Sequence, residues 1–134
     1  MKKRTVKLDW IEAPEVKKDI EHILHILDLP HIDPTKISCY RTHGSTSRSY
    51  ARIWSFPKIF QQALHIPPHY VIEVLSKYYD KLDRDGQIGV LIHELLHIPK
   101  NFSGALLAHR QNGRHLDTLA KKLFKEYKGK TDTV

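Results

Sequence analysis

Apolar residues between positions 84 and 98 recur at the spacing of one helical face. The residues of this stripe are Ile88, Leu91, Ile92, Leu95 and Leu96. Such spacing is typical of an amphipathic helix that packs one side against a core. Asp83 is a suitable N-cap, and Pro99 prevents the helix from continuing. The pattern therefore predicts a helix that begins after Asp83 and ends shortly before Pro99.

The rest of the chain alternates between helical and strand-like patterns. Helices are predicted over residues 14–27, 59–64 and 114–127, and strands over residues 37–41, 50–54 and 70–75. We expect the second strand to run antiparallel to the first, because a turn-rich segment separates them. The strand at residues 70–75 is the most apolar and leads directly into the helix after Asp83. The order predicts an α+β fold, and no repeat or linker divides it.

Length and composition favour a single globular domain. The chain has 134 residues, 40% of them hydrophobic and 28% charged, which is enough for one core. Cys39 is the only cysteine, so an internal disulfide and a cysteine-rich zinc site are excluded. We see no apolar run of signal-peptide or membrane-spanning length. These features predict a cytoplasmic protein with no membrane partner.

The formal net charge of +7 raises the question of nucleic acid. The excess lies at both ends, and we expect residues 1–8 and 128–134 to be loose basic tails. Such tails are most often solvated, although they also attract nucleic acid or acidic proteins. The sequence shows no aromatic platform interleaved with basic residues, so it specifies no nucleic-acid groove.

The predicted helix after Asp83 carries the sequence His93-Glu94-Leu95-Leu96-His97. Two histidines four residues apart lie on one helical face and can bind one metal ion, and the adjacent glutamate can act as a general base. A helix can also carry two histidines by chance. However, the flanking residues are apolar except at His93, Glu94 and His97, and burial of three unpartnered polar groups is unfavourable. The motif therefore predicts a zinc site with Glu94 as the catalytic residue.

The order of elements resembles a minimal zincin-like domain. The resemblance implies a small twisted antiparallel or mixed sheet packed on the HExxH helix, with flanking N- and C-terminal helices. The chain also resembles a metallopeptidase family of archaea and phages, itself similar to the SprT-type zinc proteases. The residues that carry this resemblance are Arg41-Thr-His-Gly-Ser45, Ala51-Arg52-Ile53, Tyr70-Val-Ile-Glu73, the stretch from His93 to Gly104, and Leu123-Phe124 before Tyr127.

The resemblance implies a third zinc ligand and offers two candidates. His109 follows the motif at the place where the family shows a histidine, although Ala105 and Leu107 replace a glycine and an arginine of its loop. His115 opens the last helix, much as the third histidine of the SprT-type proteases does. We expect His109 to be the ligand and keep His115 as the alternative.

A catalytic zinc would activate a water for hydrolysis of a peptide or protein substrate. Arg41, His43 and Tyr127 are candidates to stabilise the oxyanion, and Asp117 and Glu126 are candidates to orient an imidazole; spacing selects none of them. The resemblance to zincins implies that the strand at residues 70–75 binds an extended peptide at a sheet edge; the alternative is an internal strand that supplies core residues. Glu73 is unfavourable in a core, so we expect the edge strand.

Three functions agree with these features. The first is a zinc metallopeptidase of the HExxH type. The second is a basic nucleic-acid- or protein-binding module with a zinc-stabilised fold and no turnover, which would have no need of Glu94. The third is a phage- or repair-associated protease that its basic tails recruit to DNA.

Overall fold

A computed structural model describes residues 8–111 and 114–132. The strands are β1 (Asp9–Glu12), β2 (Ile37–His43), β3 (Ala51–Trp54), β4 (Tyr70–Leu75), β5 (Arg110–Gln111) and β6 (Arg114–His115). The helices are α1 (Pro14–Ile26), α2 (Lys58–Leu64), α3 (Ser76–Tyr79), α4 (Arg84–Leu95) and α5 (Leu116–Thr131). This is a small α+β fold, as predicted.

The main sheet has four strands in the order β1-β2-β4-β3. β2 and β4 are parallel, whereas β1 pairs with β2 and β3 pairs with β4 in antiparallel fashion. The sheet is therefore mixed. β3 runs opposite to β2, as predicted, but β4 lies between them. β5 and β6 form a separate two-stranded ribbon.

The α4 helix agrees closely with its prediction. The Asp83 side chain accepts a hydrogen bond from the amide of Gly86 at 2.8 Å and so caps the helix. Leu91, Ile92 and Leu95 are fully buried in the core, which also contains Ile20 and Ile72. Truncation of such a residue, as in Leu91→Ala, would cost about 2–5 kcal/mol. This packing fixes the orientation of the face that carries the histidines.

The prediction that residues 70–75 form an edge strand is wrong, because β4 is central in the sheet. Glu73 is only 1% exposed. Its carboxylate accepts hydrogen bonds from Arg52 (2.6 Å), Trp54 (2.8 Å), Trp10 (3.1 Å) and Thr42. Burial raises the pKa of Glu73, but these hydrogen bonds outweigh it and lower the pKa to about 2. A buried charge with this many donors is compatible with a central strand.

The prediction of a loose tail over residues 128–134 is also wrong for its first part, since α5 continues to Thr131. Tyr127 is buried and anchors this end of the helix. Lys128 pairs with Asp85 and Asp132, and Lys130 pairs with Glu126.

The predicted N-terminal tail, residues 1–8, lies outside the described residues except for Leu8. No helix in the described ranges is long and apolar enough to cross a membrane.

Candidate metal centre and adjoining cleft

Three histidines from two segments come together beside α4. His93 lies in the last turn of this helix, and His97 follows in a tighter turn, in which its amide donates to the carbonyl oxygen of Glu94. His109 approaches from the segment after the helix. One ligand atom from each of the three side chains lies within 4.8 Å of the others, so the group could hold one metal ion. The structure thus brings together three of the four histidines that the sequence analysis named as candidate metal ligands.

The segment that carries His109 folds back onto His97. The amide of Leu107 donates to the carbonyl oxygen of His97 at 2.7 Å, and the carbonyl oxygen of Leu107 lies 2.6 Å from Nδ1 of His97. The contact uses backbone atoms of Leu107. A leucine can therefore make this contact as well as the arginine that the sequence resemblance implies at this position.

A second set of contacts holds the start of the same segment. The Tyr70 hydroxyl accepts from the amide of Gly104 and donates to the carbonyl oxygen of Ala105, both at 2.8 Å. Gly104 has φ of +93°, and a Cβ there would lie 2.4 Å from the carbonyl oxygen of Phe56. The turn therefore requires glycine.

Hydrogen bonds orient two of the imidazoles. Because a carbonyl oxygen only accepts, Nδ1 of His97 must donate to Leu107, and Nε2 remains available as a ligand atom. Nδ1 of His93 lies 3.0 Å from Oδ1 of Asp117, which leaves Nε2 of His93 available in the same way. Asp117 thus acts as one of the orienting carboxylates considered from the sequence, whereas Glu126 pairs with Lys130.

The protonation of these rings is favourable for metal binding. Burial lowers the pKa of His93, and the nearby rings of His97 and His109 lower it further. Burial also lowers the pKa of His97, although the hydrogen bond to Leu107 opposes this effect. A lowered pKa favours the neutral imidazole, which is the form that binds metal ions.

Glu94 lies next to the three histidines and is half-buried. Burial raises the pKa of its carboxyl group to about 7, although a hydrogen bond from the backbone amide of Ile53 partly opposes the shift. A carboxyl group with a pKa near 7 can both accept and release a proton at neutral pH. The HExxH motif therefore places an ionisable carboxyl group beside the candidate metal centre.

These groups open onto a cleft of about 720 Å³. His93, Glu94 and His109 line one part of it. The other part lies between α4 and α5, and its walls include Leu82, Gly89, Val90, Ala120 and Phe124. Ser49, Tyr50 and Ala51 line it from the side of β3. A cleft of this size accommodates several residues of a peptide.

Other residues considered from the sequence lie elsewhere. His115 is in β6 and is not a member of the three-histidine group. Arg41 bonds Glu15, Ser76 and Asp80, and the Tyr127 hydroxyl bonds Nδ1 of His22. Arg41, His43 and Tyr127 are absent from the described residues that line the cleft.

Sequence reasoning missed the contribution of β3. Ser49, Tyr50 and Ala51 line the cleft, and the Ile53 amide contacts Glu94. Contacts made by backbone atoms cannot be recognised from the identity of the side chains. Gly89, in contrast, can be noticed in the sequence, because it is a glycine within a predicted helix, one turn before His93.

Comparison with known protein families identifies a relationship over nearly the whole chain. A family model described as "Putative phage metallopeptidase" matches residues 8–131. The matched region includes α4 and the segment that carries His109. No curated protein and no solved structure matches the chain.

Proposed function

The chain belongs to the phage metallopeptidase family, and we propose that it hydrolyses peptide bonds with a zinc ion and a glutamate base. In this proposal His93, His97 and His109 bind the zinc, and Glu94 is the catalytic residue. The observation that carries it is the convergence of three imidazoles beside a half-buried glutamate at the wall of a cleft.

The chemistry of the donor set favours zinc. Three neutral imidazoles form a borderline-soft, all-nitrogen set, and catalytic zinc sites typically have three protein ligands and an open position. A thiolate does not compete for this role, because Cys39 is buried and burial raises its pKa to about 11. Asp117 and the Leu107 carbonyl hold two of the rings in position for the ion.

A zinc ion bound here would supply a Lewis acid that polarises the substrate carbonyl and acidifies a water molecule. Glu94 accepts the proton of the attacking water and then gives it to the leaving amine. The Ile53 amide holds the carboxylate in the wall of the cleft while it carries the proton.

We place the peptide beside β3, since β4 is central. The backbone carbonyl oxygen of Tyr50 accepts a hydrogen bond from the amide of Leu75, in β4. Backbone groups alternate in direction along a strand, so those of Ala51 and Ile53 point away from β4. The Ile53 amide is bonded to Glu94, which leaves Ala51 to pair with an extended substrate in the cleft.

The binding-module alternative is not favoured. A zinc ion that only stabilises the fold needs no adjacent base and no cleft, and the family match is to metallopeptidases. Two basic residues of α5, Lys128 and Lys130, are paired with carboxylates, which weakens the case for a nucleic-acid partner.

The proposal is tested by removal and return of the metal. Chelator-treated protein should not cleave a casein-like substrate, and stoichiometric zinc should restore cleavage, with magnesium as the control ion. Cleavage that persists in protein shown by elemental analysis to be metal-free would overturn the proposal.

A further inference from the structure

The cleft extends beyond Glu94 into an apolar recess between α4 and α5. We define the recess by Leu82, Gly89, Val90, Ala120 and Phe124. Leu82, Val90 and Phe124 pack against the core but are only partly buried. Their remaining exposed surface faces a cavity, where an apolar ligand group would replace water.

Gly89 has no structural requirement to be glycine. It lies within α4, where glycine is disfavoured relative to other residues. A Cβ at this position would meet no heavy atom within 4 Å. At Gly86 a Cβ would lie 3.1 Å from Oδ1 of Asp83, so the helix cap restricts that position. The packing of α4 therefore leaves room for a side chain at position 89, and such a side chain would lie at the wall of the recess.

The recess lies one helical turn from the candidate metal centre. Gly89 and Val90 precede His93 and Glu94 on the same helix, and all four line the same cleft. A peptide that presents a carbonyl group to Glu94 would therefore direct a neighbouring side chain between α4 and α5. The walls of the recess are aliphatic or aromatic, and the polar residues Asp117 and Lys121 also line the cleft.

We propose that this recess is a specificity pocket for a bulky apolar side chain next to the scissile bond, and that Gly89 sets its depth. The inference rests on the proposed peptidase function and adds the substrate class: peptides with leucine or phenylalanine at one position beside the cleaved bond. A side chain at position 89 would fill the space that the substrate uses.

The test compares two variants in the recess with one outside it. Gly89→Ala and Gly89→Leu fill the recess to different extents. Gly129→Leu is the matched control, because Gly129 is also in a helix, a Cβ there also meets nothing within 4 Å, and it does not line the cleft. Zinc content and thermal midpoint are measured for each protein. Peptides that differ only in leucine, phenylalanine or alanine at one position serve as substrates.

Wild-type protein should cleave the leucine and phenylalanine peptides with a higher kcat/KM than the alanine peptide. Gly89→Leu should reduce this preference by roughly tenfold or more, the size of effect that loss of a fitting apolar group produces. Gly89→Ala should give an intermediate value, and Gly129→Leu should keep the wild-type preference. Equal cleavage of all peptides by the wild type, or an unchanged preference in Gly89→Leu, would overturn the pocket.

Binding measured without turnover separates this inference from the proposed function. Calorimetry in the Glu94→Gln background reports peptide affinity with and without Gly89→Leu. If the leucine peptide binds in a Gly89-dependent way but the zinc-loaded wild type cleaves nothing, the peptidase proposal fails and the pocket remains. If cleavage occurs without side-chain preference, the pocket fails and the peptidase proposal remains.

Discussion

The Glu94 carboxylate, on α4, accepts a hydrogen bond from the backbone amide of Ile53, on β3. This contact joins the glutamate of the HExxH motif to the edge of the sheet. Ser49 and Tyr50, which lead into the same strand, line the cleft, so this edge both contacts Glu94 and borders the cleft. The arrangement places the Glu94 carboxyl group, the candidate metal centre and the cleft close together.

Replacement of His109 and of His115 should show which of the two histidines is the third ligand. His109→Ala should lower zinc affinity by at least about a hundredfold, because it removes one of three imidazoles that surround the site. His115→Ala should leave affinity within about threefold, since His115 is outside that group. Competition with a fluorescent chelator measures both. Equal zinc affinity in the two variants would exclude His109 as a ligand.

Asp117→Asn should weaken zinc binding by about 10–100-fold, because Asp117 fixes the orientation of His93 and increases its basicity. Asp132→Asn is the matched control: it removes an exposed carboxylate at the C-cap of α5 whose ion pair within the described residues is with Lys128. The same chelator competition applies. Should the two variants bind zinc equally well, Asp117 would have no role in positioning His93.

The pKa of Glu73 predicts a loss of stability in acid. Its folded-state pKa of about 2 lies below the ordinary value of about 4.3. The ionised form therefore stabilises the fold above about pH 4.3, and this contribution disappears as the pH falls towards 2. We expect Glu73→Gln to lower the free energy of unfolding at pH 7 by about 2–4 kcal/mol and to flatten its pH dependence below pH 4.3.

Urea denaturation between pH 2.5 and 7 provides the measurement. The chain contains two tryptophans, and both Trp10 and Trp54 donate to Glu73, so tryptophan fluorescence reports directly on this cluster. Glu126→Gln is the control, because its surface pair with Lys130 should contribute less than about 1 kcal/mol. If the free energy of unfolding of Glu73→Gln still falls steeply as the pH decreases below 4.3, groups other than Glu73 cause the loss of stability in acid.

The features predicted correctly from sequence depend on local chemistry. The spacing of Leu91, Ile92 and Leu95 defined the buried face of α4, and Asp83 marked its start, because helix periodicity and capping act within a few residues. The HExxH motif predicted a metal site and a base from spacing that is equally local, and these roles stay predictions.

The two errors, and the choice of a third ligand that the sequence left open, concern contacts between distant segments. Glu73 favoured an edge only because its donors on β1, β2 and β3 cannot be recognised along the chain. The choice between His109 and His115 stayed open because the approach of His109 depends on backbone bonds between Leu107 and His97. The C-terminal lysines indicated a loose tail, but Tyr127 and acidic partners hold them in α5.

The most direct test of the zinc peptidase account is a paired measurement of metal content and hydrolysis in Glu94→Gln. Glutamine keeps the size of the side chain and can still accept from the Ile53 amide, but it cannot take a proton from water. We predict about one zinc ion per chain, as in the wild type, together with a loss of hydrolysis of at least about a hundredfold. Wild-type rates of hydrolysis by the zinc-loaded variant would contradict the account.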